Sequence, residues 1–198
     1  MQGSTTNDLR NIIANISANL RRNGIKVEIQ YRLKDPYSAL KKTLRKNIEV
    51  KELTDLIGFR IIVDKQYDCY EVLTTLYNIY SVHMGKTKDY IANPKDNDRS
   101  LHLVLIADIY DRNIEIQIRT RRMHNIAEFG IAKHEEYKKT QEEKLRKLFY
   151  EEKVNTVAIN TEINKAYDIF NQFNWTISKL IAYEQAIENL WHKFQKDS

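Results

Sequence analysis

The segment 113–119, which reads Asn-Ile-Glu-Ile-Gln-Ile-Arg, alternates apolar and polar residues, and this alternation constrains the fold more than any other feature of the sequence. A period of two is that of a β-strand, so the isoleucines fall on one face and Glu115, Gln117 and Arg119 fall on the other. Such a polar face is often simply exposed in antiparallel sheets. Alternatively it lines a binding site, because a carboxylate in mid-sheet is costly unless it is paired or metal-bound.

Other segments follow the periods of helices or strands, and the two types interleave along the chain. Helices are predicted over 5–22, 36–47 and 67–81, and strands over 26–31, 59–63, 101–109 and 113–119, the last two joined by a polar turn at 110–112. Flexible linkers are scarce, since the 198 residues include only 5 glycines and 2 prolines. The pattern predicts an α+β, or mixed α/β, fold with a central sheet flanked by helices.

The C-terminal part of the chain carries a heptad-like apolar stripe. A continuous helix over 157–195 would be roughly 58 Å long, since each helical residue adds ~1.5 Å. Two interpretations are open: the helix folds back after a break near 171–174, or it packs on another chain. Residues 138–153 are rich in lysine and glutamate, which predicts a solvated helical connection.

The composition favours a basic protein of the cytoplasm. The formal charge of +5 suits a polyanionic ligand such as a nucleotide or a nucleic acid. No apolar run approaches the ~20 residues that span a bilayer, and the polar residues 1–7 lack the apolar core of a signal peptide. The single cysteine, Cys69, excludes an intrachain disulfide and a multi-cysteine zinc site, and it is predicted to be a small buried side chain.

Two carboxylates stand where they could hold a metal ion and a triphosphate. Asp55 comes just before the strand 59–63, and Glu115 lies within 113–119. On neighbouring strands they would form an oxygen-rich site for Mg²⁺. The cations close to these segments are Arg32, Lys34, Arg60, Lys86, Lys88 and Lys95. Because the chain has no glycine-rich phosphate loop, side chains and metal would hold the phosphates.

A series of motifs in fixed order resembles the synthetase domain of the RelA/SpoT family. The matching segments are 32–38, 55–63, 68–73, 88–95, 100–102, 115–120, 123–124 and 127–132, followed by His134 and 137–138. The likeness covers about residues 8–138 and lacks the hydrolase and regulatory regions of the long enzymes, so the chain looks like a small alarmone synthetase. We therefore expect a synthetase domain over 1–138 and a C-terminal helical extension over 139–198.

The resemblance implies a nucleotidyltransferase-like central mixed sheet and a role for each matching residue. Arg32 and Arg60 would sandwich the adenine of ATP, and Asp55 and Glu115 would hold Mg²⁺, with Glu115 also a candidate base. The ATP phosphates would be contacted by Lys34, Ser38 and Lys42. The acceptor would be bound by Lys86, Lys88, Tyr90, Lys95, Asp98, Arg99, His102, Gln117 and Arg119.

The acceptor loop departs from the family pattern. The family reads Pro-Lys-x-Asn-Gly-Tyr-x-Ser-x-His, with a tyrosine that stacks on guanine, whereas residues 94–102 are one residue shorter and carry Asp98 at that point. Loss of a base stack weakens binding by ~1–3 kcal/mol. Asp98 could instead accept hydrogen bonds from the guanine edge, and Arg99 could stack. Asp35 also replaces the usual serine beside the ATP phosphates, which adds repulsion.

Three functions follow from this pattern. The first is an ATP-dependent pyrophosphokinase that makes (p)ppGpp from GDP or GTP. The second is the same transfer to an adenine nucleotide or to the tRNA 3′ end, as in toxic relatives. The third is a degenerate domain that binds a nucleotide or a partner without catalysis. No membrane is expected as partner, whereas a second copy or an antitoxin-like protein could bind the C-terminal helix.

Overall fold

The computed structural model describes residues 6–95, 98–109, 112–129, 134–151, 156–172 and 176–196. Its helices and strands are α1 (Thr6–Arg22), β1 (Glu28–Leu33), α2 (Pro36–Lys46), β2 (Ile57–Val63), α3 (Gln66–Ile79), β3 (Lys88–Asp89), β4 (Leu101–Ile109), β5 (Arg112–Thr120), α4 (Arg121–Phe129), α5 (His134–Glu151), α6 (Thr156–Phe170) and α7 (Ile177–Lys196). The predicted helices and strands before residue 120 are confirmed, with only small shifts of their ends. Residues 110 and 111 of the predicted turn lie outside the described residues, and Arg112 already belongs to β5.

The chain forms two compact units. One comprises Met1–Leu33 and Thr54–Ala132, and the other comprises Lys34–Leu53 and Lys133–Ser198. The first unit contains the whole sheet with α1, α3 and α4, and the second contains α2, α5, α6 and α7. The predicted domain 1–138 is continuous in sequence, whereas in the structure residues 34–53 group with the C-terminal helices.

The first unit is built on a five-stranded mixed sheet with the strand order β1-β2-β5-β4-β3. β2 and β5 are parallel, and the other neighbouring pairs are antiparallel. Phe59, Ile61 and Ile116 lie fully buried on the apolar face, and α3 packs against both central strands. Since the sheet is mixed and helices flank it, the predicted α+β class is confirmed.

Cys69 lies in α3 and is buried, as predicted. Burial raises the pKa of its thiol to about 12. At neutral pH the side chain is therefore a protonated, small apolar group that packs in the core, and not a nucleophile.

In the second unit, α2 begins with a side-chain cap. The carboxylate of Asp35 accepts a hydrogen bond from the backbone N–H of Ser38 at 3.0 Å, which satisfies one of the free donors of the first turn. The helix ends at Asn47, which adopts the left-handed conformation with φ of 50°. Asp35, for which the sequence suggested only repulsion of ATP phosphates, has a structural role as this cap.

The C-terminal stripe forms two helices, because α6 ends at Phe170 and α7 begins at Ile177. The two helices pack on each other and on α2, which confirms the predicted break and return of the helix. The predicted helix over 138–153 corresponds to α5, which buries Leu145 and Phe149 and so is solvated on one side only. An interface with a second copy or a partner stays a prediction. Within the described residues, no helix is both long and apolar enough to cross a bilayer.

Candidate active site

The polar face of the sheet gathers side chains from several strands in register, because residues paired directly across neighbouring strands point to the same face. The first row across β1, β2, β5 and β4 consists of Arg32, Gly58, Glu115 and Val104, and the second consists of Gln30, Arg60, Gln117 and His102. Lys88 of β3 lies opposite His102 and continues the second row. The register therefore brings predicted donor-side and acceptor-side residues onto one face.

Glu115 is the centre of a hydrogen-bonded cluster on this face. Its Oε2 accepts hydrogen bonds from Arg32 Nη1 at 2.9 Å and from Gln117 Nε2 at 3.2 Å. Its Oε1 lies 3.3 Å from Nδ1 of His102. The side chains of Glu115 and His102 are only 15% and 13% exposed. The face is therefore buried around this carboxylate and is not the exposed polar surface that antiparallel sheets often present.

Gly58 lies between Arg32 and Glu115 in the first row. Adjacent strands are ~4.8 Å apart, so the backbones of β1 and β5 are separated by about 10 Å across β2. A Cβ atom at position 58 would lie 2.3 Å from the backbone oxygen of Glu115. The glycine thus permits the close approach of β5, and it leaves open the space across which Arg32 reaches Glu115.

The loop before β4 places Asp98 and Ser100 against His102. Asp98 Oδ2 lies 3.0 Å from His102 Nε2, and Asp98 Oδ1 accepts a hydrogen bond from Ser100 Oγ at 2.5 Å. Ser100 Oγ lies 2.8 Å from the same imidazole nitrogen. The ring of Tyr90 packs edge-on against the imidazole, with 5.1 Å between the ring centroids. His102 is therefore fixed between two carboxylates, Asp98 and Glu115.

These contacts set the ionisation of the cluster. Burial raises the pKa of Glu115, but the hydrogen bond to His102 and the charge of Arg32 outweigh it, so the pKa lies below its usual value. Burial likewise lowers the pKa of His102, but the hydrogen bonds to Asp98 and Glu115 prevail and raise it. A carboxylate that stays ionised suits a metal ligand. It is correspondingly a weak base.

Arg60 and Arg119 share one acceptor on α4. Arg60 Nη1 and Arg119 Nη2 donate to Oε1 of Glu128 at 3.1 and 3.0 Å, and Arg119 Nη2 also lies 2.7 Å from Nδ1 of His124. Burial and the charge of Arg119 lower the pKa of Arg60 to about 10, so it remains protonated at neutral pH. Among the described residues, the buried Nε atoms of both arginines have no hydrogen-bond partner. Because the two guanidinium groups share the single carboxylate of Glu128, positive charge is left over here, and it suits an anionic ligand.

Asp55 lies in the turn before β2, and its negative charge acts to raise the pKa of Glu115. The two carboxylates are therefore near enough to interact. In the described parts of the chain no three His, Cys, Asp or Glu side chains converge on one point. Mg²⁺ usually takes only one or two carboxylates and completes its shell with waters and substrate phosphates. Asp55 and Glu115 therefore fit the predicted magnesium site.

The other predicted ligands are spread over both units. Four of these predicted ligands belong to the first unit and have exposed side chains, namely Lys86, Lys88, Lys95 and Arg99. Lys34, Ser38 and Lys42 belong to the second unit, where Ser38 follows the cap of α2. Their assignment to ATP phosphates and to the acceptor stays a prediction.

The sequence-based assignment missed Glu128, His124 and Ser100. Glu128 and His124 are four residues apart in α4, so they lie on the same side of the helix and both contact Arg119. This spacing is visible in the sequence, but its partner is not, because Arg119 comes from the neighbouring strand. Ser100 gives no sequence signal beyond its place in the motif.

Replacing Glu128 by glutamine is expected to lower the free energy of unfolding by about 1 kcal/mol. The acceptor of both hydrogen bonds loses its negative charge, so the repulsion between the two arginines is no longer balanced. The value is modest because the Glu128 side chain is 40% exposed. Urea denaturation would measure it. Glu28→Gln is the matched control, because Glu28 contacts Arg121 at an exposed position of the same unit. Equal stability of the two variants would contradict a special role of Glu128.

Comparisons with known proteins identify the family of the chain. Residues 31–142, more than half of the chain, match the family described as "Region found in RelA / SpoT proteins". "GTP pyrophosphokinase rsh" of Brucella ovis is 43% identical over 131 residues, which are 66% of this chain and 17% of that protein. "Guanosine-3′,5′-bis(diphosphate) 3′-pyrophosphohydrolase" of Aquifex aeolicus is 44% identical over 128 residues, 64% of this chain and 18% of that protein.

Among solved structures, the small alarmone synthetase 1 of Bacillus subtilis, bound to its product pppGpp, superimposes with a TM-score of 0.52 and 26% identity. The match covers 65% of this chain and 73% of that one. The chain thus spans about a sixth of the length of the curated relatives and most of the length of the small synthetase. On the extent of the family match, together with the buried carboxylate cluster in the matching region, the chain belongs to the RelA/SpoT family.

Proposed function

We propose that the chain is a pyrophosphokinase that transfers the β,γ-pyrophosphate of ATP to the 3′-hydroxyl of GDP or GTP, giving AMP and (p)ppGpp. The observation that carries the proposal is the buried cluster of Glu115 with Arg32, Gln117 and His102, and with Asp55 nearby. The names of the relatives and the product bound to the small synthetase support a guanine nucleotide as acceptor.

In this reaction the 3′-oxygen of the acceptor forms a bond to the β-phosphorus of ATP. The bond from that phosphorus to the oxygen that bridges to the α-phosphorus breaks, and AMP leaves with the bridging oxygen. The hydroxyl proton passes to Glu115 or to solvent. Such transfers depend mainly on alignment of the two oxygens and on neutralisation of charge. Bound Mg²⁺, held by Asp55 and Glu115, would supply part of that neutralisation.

Side chains of the protein would supply the remaining charge neutralisation and the alignment of the substrates. Arg32 and Arg60 would face ATP, and the charge of Arg60 is only partly balanced, since Arg60 shares Glu128 with Arg119. On the acceptor side, Arg119 would offer a second buried cation, and His102 and Gln117 lie beside Glu115. Because all these groups are held by a sheet and by one another, they would bind without large rearrangement.

A nucleotide-product assay tests the proposal. The purified chain is incubated with Mg²⁺ and with ATP labelled in its β-phosphate, together with GDP, GTP, ADP or deacylated tRNA in parallel. We expect AMP release and label transfer that depend on GDP or GTP. Label on ADP or tRNA instead would identify a different acceptor, and no transfer to any acceptor would contradict a catalytic role. Either outcome would refute the guanine nucleotide as substrate.

A further inference from the structure

The carboxylate of Asp98 is already engaged inside the protein. Its Oδ1 accepts a hydrogen bond from Ser100, and its Oδ2 lies 3.0 Å from Nε2 of His102. Ser100 is buried, and the Asp98 backbone is fixed by hydrogen bonds in both directions with the backbone of Lys95. A contact of Asp98 with a ligand would require at least one of these hydrogen bonds to break, which costs free energy in a half-buried position.

The imidazole of His102 links Asp98 to Glu115, so the fixed position of Asp98 also restricts the orientation of Glu115. Its two nitrogens face opposite carboxylates: Nε2 faces Asp98, and Nδ1 lies 3.3 Å from Oε1 of Glu115. The edge of Tyr90 restricts the tilt of the ring. Arg32 and Gln117 contact the other oxygen of Glu115, so the contact of His102 with Oε1 completes the orientation of the carboxylate plane.

We propose that Asp98 is a positioning residue that acts through His102 to orient Glu115, and that it does not read the base of the acceptor. This inference rests on the proposed function, in which Glu115 lies at the reacting groups. A residue that fixes the orientation of a metal-binding or catalytic side chain contributes to the reaction rate even though it does not touch the substrate. The selectivity of the acceptor site for guanine must then come from residues other than Asp98.

The isosteric substitution Asp98→Asn distinguishes a role in positioning Glu115 from a role in recognising the acceptor base. We expect it to lower kcat roughly tenfold or more, within the range for residues that orient a ligand. The KM for GDP should change little, because no contact with the nucleotide is lost. Asp64→Asn, an exposed aspartate that follows β2, is the matched control and should leave the rate unchanged.

Inosine diphosphate, which lacks the 2-amino group of guanine, distinguishes positioning from base recognition. If Asp98 accepted a hydrogen bond from that amino group, Asp98→Asn would reduce the preference for GDP over inosine diphosphate and raise the KM for GDP, which would overturn the inference. We expect the preference to be the same in both proteins. The double variant with His102→Gln should be no slower than His102→Gln alone, since both changes interrupt one path.

A measurement on the free protein keeps this inference distinct from the proposed function. The NMR resonances of the His102 ring should shift in Asp98→Asn and stay in place in Asp64→Asn. If the wild-type chain makes no product with any acceptor, the proposed function fails. An unchanged His102 resonance in Asp98→Asn would overturn the positioning role whether or not the chain is active.

Discussion

Glu115→Gln is expected to reduce pyrophosphate transfer by roughly 10²–10⁴-fold, the range for loss of a group that acts directly on the reacting atoms. Glutamine keeps the size of the side chain and can still accept hydrogen bonds from Arg32 and Gln117, so the chain should remain folded. What it removes is the negative charge that, together with Asp55, would hold Mg²⁺ against the triphosphate. The loss should therefore appear in kcat with saturating ATP.

The negative charge of Glu115 should also affect how the stability of the protein depends on pH. The pKa of Glu115 is lowered in the folded protein because the hydrogen bond to His102 and the charge of Arg32 outweigh burial. The ionised form therefore stabilises the fold above the unfolded pKa, and this contribution is lost as the pH falls through the folded pKa. Glu115→Gln lacks the contribution at every pH, so its acid unfolding should be less steep than that of the wild type.

Glu28→Gln is the control for the transfer measurement, because Glu28 lies on the same sheet but at an exposed position of the edge strand. Its effect on stability should be within ~0.5 kcal/mol, as for most surface changes. A Glu115→Gln protein that transfers pyrophosphate as fast as Glu28→Gln would remove Glu115 from the reaction. Loss of folding would instead be seen directly in the denaturation curve.

The local elements of this fold could be predicted from the sequence because their signals are local. The alternation in 113–119 revealed a strand with one polar face, and Pro36 and Asn47 stand at the two ends of α2. The same alternation made the polar residues of that strand candidates for the functional site. Their alternation excludes burial in an apolar core but leaves open what they face.

The partners of these residues could not be predicted, because they depend on which strands lie side by side. Arg32 and Glu115 meet although 83 positions separate them, and Arg60 meets Glu128 across 68 positions. The family pattern predicts a contact of Asp98 with guanine, whereas in the structure the side chain of Asp98 contacts Ser100 and His102. Such contacts follow from sheet register, which a periodicity of two does not specify.

Gly58→Ala is expected to lower the free energy of unfolding by about 1–3 kcal/mol, the usual cost of forcing extra volume into a packed interior. The new methyl group would lie 2.3 Å from the backbone oxygen of Glu115 and 3.2 Å from its backbone carbon. Neither atom can move aside without separating β2 from β5, since the two strands are hydrogen-bonded neighbours at this position. The lower entropy of the unfolded alanine chain offsets only ~0.4–1 kcal/mol of this cost.

The same change should also reduce transfer by more than the loss of stability explains. A shift of β5 would move Glu115 relative to Asp55, and the methyl group would enter the space between Arg32 and Glu115. Misplacement of a reacting group by about 1 Å can cost ~10²-fold in rate. Gly85→Ala is the matched control, because among the described residues no heavy atom beyond its two chain neighbours lies within 4 Å of its added Cβ. If both variants had wild-type rate and stability, β2 and β5 would not approach as closely as the structure shows, and Gly58 would not position Glu115.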